Sequence, residues 1–285
     1  MEGGHVTVGR IGFAYNPTNE TALELRERAA GWCHVRGIEH WAAPAGETTQ
    51  MAADMATTDV LVVLGGDGTF LRAVQGAYEA DVPLLGVNLG KVGFLSKAEA
   101  NELERVLGQL VSGAFTVRER MGLTGSILPA GRPSDTQFTA LNDIVIARGS
   151  LARVVHLDVT IDESHLATFV ADGLVVASPT GSTGYSFSAG GPILDPQSRN
   201  LVVTPIAGYL SALRSIVVSP RQVVRCRVIE AHEALVSVDG REDHRIAVGD
   251  VVEVRALERP IRFVEPHGAL PFWDLLRTKV ELLPS

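Results

Sequence analysis

The chain has 285 residues, with 33 acidic and 25 basic side chains, a formal net charge of −8, 46 % hydrophobic residues and 20 % charged ones. That is apolar enough for a buried core and too weakly charged for a disordered chain; at roughly 150 residues per domain, the length suggests about two domains. The acidic balance argues against non-specific nucleic-acid binding, and two distant cysteines, Cys33 and Cys226, exclude a disulfide framework or a CxxC zinc site.

In chain order, Val6–Tyr15 is expected to form a strand, Asn16–Thr18 a turn, and Thr21–Arg36 a helix with Leu23, Ala29, Ala30 and Cys33 near one face. Val60–Leu64 is wholly apolar and ends in Gly65-Gly66-Asp67-Gly68. Helical spacing resumes over Thr69–Tyr78, Leu84–Val87 is apolar again, and Asn101–Val111 suggests a further helix. This β-α-β-α order argues for an α/β N-terminal domain with a Rossmann-like parallel sheet. From about Phe115 short β-branched runs dominate, from Asp143–Ala147 through Val154–Ile161 to Val251–Val254, and imply a β-rich, sandwich-like C-terminal domain. The expected division is 1–114 and 115–265, with the tail 266–285 packing back onto the first domain. No apolar run approaches the roughly 20 residues of a membrane span, and the N-terminus lacks the basic start of a secretory signal. The expectation is a cytoplasmic protein with neither nucleic-acid nor membrane partners.

The first chemical signal is LVVLGGDGTFLRA, Leu61–Ala73. Glycines at a strand's end let the backbone turn sharply and approach a ligand, and the following helix aims unpaired N–H groups at that point. It is neither GxxxxGK[ST] nor GxGxxG; Gly86–Val92 only resembles the former. From spacing alone, a tight turn with Asp67 capping the helix and a phosphate site are equally open. Asp67 favours the second, because a carboxylate beside phosphate is costly unless it holds a cation or removes a proton, as phosphoryl transfer requires.

The second signal is ADGLVVASPTGSTGYSFSAGGPILDP, Ala171–Pro196. Composition alone favours a Ser- and Gly-rich hairpin loop. Its inventory nevertheless suits a polar ligand with a ring, stacked on Tyr185 and bonded by Thr183 and Ser188.

GGDGT at Gly65–Thr69, LNDIVI at Leu141–Ile146 and DGLVVASPTGSTGYSFSAGGP at Asp172–Pro192 together resemble the NAD kinases, ATP-dependent enzymes that phosphorylate the adenosine ribose 2′-hydroxyl of NAD. The likeness runs from about Gly12 to Val280, including Asp239-Gly240 and the tail PFWDLLRTKV. It implies that Asp67 accepts the proton and that Gly65, Gly66, Gly68 and Thr69 belong to the nucleotide site. It further implies that Asn142, Asp143, Arg153, Asp172, Thr183, Gly184, Tyr185, Ser186, Phe187 and Ser188 bind the dinucleotide. It brings Mg²⁺ with ATP, NAD as substrate, a cleft between the domains, and a homodimer or homotetramer as expectations.

Some positions depart from the family pattern. Relatives read STAY where this chain has Ser182-Thr183-Gly184-Tyr185, commonly Glu where it has Asp143, and His and Pro where it has Tyr209 and Ser215. Val170 stands where some relatives are basic. These changes keep open a paralogue that phosphorylates a nucleoside or a polyol such as inositol, or a non-catalytic dinucleotide sensor. The five arginines of the acid-free stretch Pro196–Ile229 read mostly as a solvated face, with Arg214 the one considered for ligand contact.

Overall fold

The structure is a computed structural model and describes residues 8–90, 93–131, 136–150, 153–209 and 213–281. It divides into two units, one made of the described residues up to Glu119 and from Ile261 onward, the other of Arg120–Pro260.

The first unit begins with β1 (Arg10–Tyr15), α1 (Glu20–Val35), β2 (Glu39–Pro44), α2 (Thr48–Met55), β3 (Val60–Leu64) and α3 (Asp67–Glu79). It continues through β4 (Leu84–Asn88), β5 (Ser96–Glu99), α4 (Leu103–Ser112) and β6 (Phe115–Arg120). The second unit contains β7 (Leu123–Leu128), β8 (Thr136–Ala140), β9 (Asp143–Arg148), β10 (Val155–Ile161), β11 (Ser164–Ala171), β12 (Gly173–Ala177) and a single helical turn α5 (Tyr185–Ser188). It is completed by β13 (Leu201–Ile206), β14 (Ile216–Val218), β15 (Val224–Glu230), β16 (Ala234–Val238), β17 (Glu242–Ile246) and β18 (Val251–Ala256). The chain then returns to the first unit with β19 (Ile261–Pro266) and α6 (Phe272–Glu281).

In the first unit the strand order is β2-β1-β3-β4-β19-β6, with β5 also against β4, and the pairings from β2 through β19 are parallel. Every residue of β3 and β4 is buried, as expected of central strands in a parallel sheet covered on both faces. Helix α1 starts one residue before the expected Thr21 because the Asn19 side chain accepts the Ala22 N–H at 3.0 Å. Its fully buried stripe is Ala22, Leu25, Ala29 and Cys33, so Leu23 and Ala30 sit at the margin.

The second unit is built from two six-stranded sheets, β11-β10-β15-β18-β7-β8 and β14-β13-β12-β9-β16-β17. Ile144, Ile146, Leu174 and Val176 of one sheet share a core with Leu157, Val159, Val228 and Val252 of the other. Because side chains alternate, Asp143, Val145 and Ala147 on β9 and Gly173, Val175 and Ala177 on β12 turn to the opposite face. Val145, Val175 and Ala177 form a separate buried cluster there. Both faces of these strands are therefore covered, which is why they read as unbroken apolar runs.

The strands absent from the sequence reading are β2, β5–β8, β11, β17 and β19. Most carry polar or charged residues on an exposed face, so their pattern is weak. The most consequential is β19, which leaves the second unit and inserts between β4 and β6.

Candidate active site

At the end of β3 the Gly65 N–H donates to the Val87 carbonyl at 3.1 Å and ties the turn to β4. A Cβ at Gly65 would lie 2.5 Å from the Thr69 side chain, so packing alone requires glycine there. Gly66 and Gly68 are different: a Cβ at either meets nothing within 4 Å, and neither has a positive φ. Among the described residues nothing demands glycine at these two positions. They keep bare ground in front of α3, whose N-terminus has no side-chain cap.

The amides of Asp67 and Gly68, in the first turn of α3, lack intrahelical acceptors by their position. The Thr69 N–H, expected as an anion donor, instead bonds the Gly66 carbonyl at 3.0 Å, and Thr69 itself is buried. That leaves the Asp67 and Gly68 amides as the donors of the turn without an intrahelical acceptor.

Asp67 does not cap its own helix. Its Oδ2 accepts the Phe94 N–H at 3.1 Å and its Oδ1 the Leu95 N–H at 3.3 Å. Gly93 packs against the same carboxylate, leaving no room for a Cβ. The Phe94 ring meets Phe272 of α6 at 6.3 Å and lies 4.6 Å from Lys279 Nζ, so the C-terminal helix braces the loop that holds Asp67. Sequence reading missed this loop; the run around it was noticed only as a failed Walker A match. Beside it lies a cavity of about 350 Å³, within the size class of small-molecule sites, lined by Asn88, Gly93, Ser96, Lys97 and Arg105 among others.

In the second unit, Leu141, Asn142 and Asp143 form a turn entering β9. Asp143 is buried, and burial first, then the neighbouring Asp239, pushes its carboxyl up to about 7. Asp239 is raised too, burial outweighing the three backbone N–H donors and Arg241 that pull it down. Those donors point at Asp239 and favour its charged form, so the proton of the pair belongs on Asp143.

The Pro179–Ser188 segment packs onto this turn. Ser182 is buried, its Oγ donating to the Pro179 carbonyl at 2.7 Å and accepting the Leu194 N–H at 2.9 Å. Thr183 is half-buried, with Oγ1 3.3 Å from the Thr180 carbonyl. A methyl at Gly184 would fall 3.8 Å from Asp143 Oδ2, so the two residues are neighbours. In α5 the alternation is clear: Tyr185 and Phe187 are 47 % and 49 % exposed and Ser188 is exposed, whereas Ser186 is buried with Oγ 3.3 Å from Thr204 Oγ1. Ser186 therefore holds the loop rather than facing outward.

Asp172 lies at the other end of the same strands. The β9–β12 register pairs Asp143 with Ala177 and Ala147 with Gly173, and Asp172 lies one residue further on, which separates Asp143 from Asp172 by about 17 Å of strand. Arg148 grips Asp172, with Nε 2.7 Å from Oδ1 and Nη2 3.3 Å from Oδ2. Arg153 is exposed before β10 and Arg214 is exposed before β14. The expected dinucleotide residues thus fall into two groups, Asn142, Asp143 and Thr183–Ser188 at one end, Asp172 at the other.

The model of the ATP-NAD kinase N-terminal domain matches residues 12–115 and that of the ATP-NAD kinase C-terminal domain matches residues 141–266. An NAD kinase of Dehalococcoides mccartyi is 35 % identical over 272 residues, covering 95 % of this chain and 96 % of the relative. One from Chloroflexus aurantiacus is 37 % identical over 267 residues, covering 94 % and 96 %. Among solved structures, yeast NADH kinase complexed with NADH superposes with a TM-score of 0.84 at 26 % identity, over 98 % of this chain and 88 % of the other. An Archaeoglobus fulgidus NAD kinase in complex with ATP shares the fold at a TM-score of 0.77 and 24 % identity, over 96 % and 100 %. With both domain models matched and full-length relatives above 30 % identity, the chain belongs to the ATP-NAD kinase family.

Proposed function

We propose that the chain phosphorylates the adenosine ribose 2′-hydroxyl of NAD at the expense of ATP, with Asp67 as general base. The observation that carries this reading is the combination at the α3 N-terminus. An added Cβ at Gly66 or Gly68 meets no atom of the described residues within 4 Å, and Asp67 between them is held by the Phe94 and Leu95 amides.

In the reaction, Asp67 takes the proton as the 2′-oxygen forms a bond to the γ-phosphorus. The bond from that phosphorus to the β,γ-bridging oxygen breaks, and ADP leaves with the electron pair. The Asp67 and Gly68 amides face the donor's phosphates, and the cavity beside Gly93 offers room for further parts of the nucleotide.

Mg²⁺ fits here as an ion carried by the nucleotide. Among the described residues no cluster of three or more His, Cys, Asp or Glu could cage a metal, and Mg²⁺ commonly uses one or two carboxylates plus phosphate oxygens. Asp67 retains lone pairs beyond its two hydrogen bonds, one for the proton and another able to meet the ion through one of its waters. When bound, the ion would neutralise phosphate charge.

On the acceptor side, Asn142, Asp143 and the exposed edge of Thr183–Ser188 hold one nucleoside, with Tyr185 available for stacking. Asp172, about 17 Å along the strands, meets the far part of the extended dinucleotide, and Arg153 serves its pyrophosphate. We place the protein in the cytoplasm, where the free, buried thiols of Cys33 and Cys226 suit a reducing compartment. A homodimer or homotetramer is expected, to be measured by light scattering. No described helix is long and apolar enough to cross a membrane.

The test is an acceptor panel of NAD⁺, NADH, adenosine and inositol with ATP and Mg²⁺. NADP formation from NAD⁺ is the expected result. Consumption of another acceptor with NAD⁺ untouched would refute the assignment.

A further inference from the structure

We infer that Asp239 is a positioning residue for the acceptor: its carboxylate clamps the Leu141–Asp143 turn and so sets where Asn142 and Asp143 meet NAD. The inference rests on the reading that these two residues touch the dinucleotide.

The side chain of Asp239 is 1 % exposed. Its Oδ1 accepts the N–H of Asn142 at 2.8 Å and of Asp143 at 3.1 Å, and its Oδ2 accepts the N–H of Leu141 at 3.0 Å. The Asp239 N–H donates in turn to the Asp143 carbonyl at 3.0 Å. Four hydrogen bonds thus fix three consecutive residues to a point almost a hundred positions away in sequence.

A second support grips the turn by its carbonyls. The Ser178 Oγ donates to the Leu141 carbonyl at 2.5 Å, and the Ser178 N–H to the Asn142 carbonyl at 2.8 Å. Gly181 lies so close to the Asn142 backbone that a Cβ would reach 2.6 Å from its Cα. The turn cannot drift toward either support.

Local conformation does not explain an acid at 239. Asp239 and Gly240 have φ of 52° and 63° in the reversal between β16 and β17, and asparagine adopts such angles as readily as aspartate. Asparagine has one oxygen and one NH₂ group, so it cannot accept from amides at both ends of its head. Three converging N–H donors, with the Arg241 Nη2 3.7 Å from Oδ2 beside them, call for a carboxylate. Burying that charge is costly, and what it secures is the position of the two residues read as holding the acceptor.

The test is Asp239→Asn, with KM measured separately for NAD and ATP, NAD binding measured without turnover, and amide hydrogen exchange followed at Leu141–Asp143. Losing charge-assisted bonds and shifting a binding pair should raise the NAD KM and Kd by about 10- to 100-fold and leave the ATP KM within about twofold. Exchange at the three amides should quicken. If Asp239→Asn does not fold, Ser178→Ala loosens the other support without touching a charge, and a selective rise in NAD KM of about threefold or more is expected. A folded variant with unchanged NAD binding, or one that loses affinity for both substrates equally, would overturn the clamp. A wild-type enzyme that ignores NAD would instead overturn the function on which it rests, and the exchange result would still report the clamp.

Discussion

Arg148 and Asp172 meet as a two-pronged ion pair, Nε to Oδ1 at 2.7 Å and Nη2 to Oδ2 at 3.3 Å, while Arg148 Nη1 donates to the Ser150 carbonyl at 2.8 Å. The guanidinium fixes the direction of a carboxylate that the family likeness assigns to the dinucleotide. A lysine has no planar fork and cannot reproduce both contacts. Both Arg148→Ala and Arg148→Lys should therefore raise the NAD KM, by about 10-fold for alanine, with little effect on the ATP KM. Steady-state kinetics with each substrate varied in turn check this; a lysine variant equal to wild type would show that charge alone suffices.

At Asp67, replacement by asparagine removes the proposed proton acceptor and keeps the side-chain shape. Turnover should fall by about 10²- to 10⁴-fold, with the circular dichroism spectrum unchanged. Near-normal turnover in a folded variant would assign the proton to another group.

The three glycines of the turn should separate into two classes. Gly65→Ala drives a methyl into Thr69 and should lower the melting temperature by several degrees. Gly66→Ala and Gly68→Ala have open space and ordinary backbone angles, so the melting temperature should stay put. Their methyls stand where phosphate is read to bind, and the ATP KM should rise by about 10-fold. Thermal melts and ATP titrations on the three variants make the comparison.

Asp143 gives the stability a pH dependence of known sign. With its folded value near 7 and an ordinary carboxylate value near 4 when unfolded, the folded state keeps a proton that the unfolded chain releases between these limits. This group therefore destabilises the fold progressively as pH rises from about 4 to about 7, and the loss levels off above that. Asp143→Asn removes the titration, so the variant should gain on wild type across the window, by an amount on the order of a few kcal/mol at about pH 8. Urea unfolding of both proteins at about pH 5 and about pH 8 measures the difference; an identical gap at the two values would count against the raised carboxyl.

Local pattern made several elements legible. The apolar run Val60–Leu64, its glycine-rich end and the helical spacing beyond it revealed strand, turn and helix, because one period of hydrophobicity and one conformational constraint act within a dozen residues. The same holds for the fully apolar strands β9 and β12 and for the amphipathic tail that becomes α6. Gly65-Gly66-Asp67-Gly68 was legible as a tight strand-to-helix turn for the same reason. Strand β19 was hidden because its place between β4 and β6 depends on partners contributed from the other end of the chain. The roles of Phe94 and Leu95 on Asp67, of Asp239 on the Leu141–Asp143 turn and of Arg148 on Asp172 were hidden likewise. Each is a contact between residues 24 to 98 positions apart, in which a backbone amide or a charge finds its partner only after the strands align. Residue type and spacing could name the candidate groups for the chemistry, because both are local. What holds those groups in place is set by burial, which brings distant donors to a carboxylate and removes the water that would otherwise satisfy both.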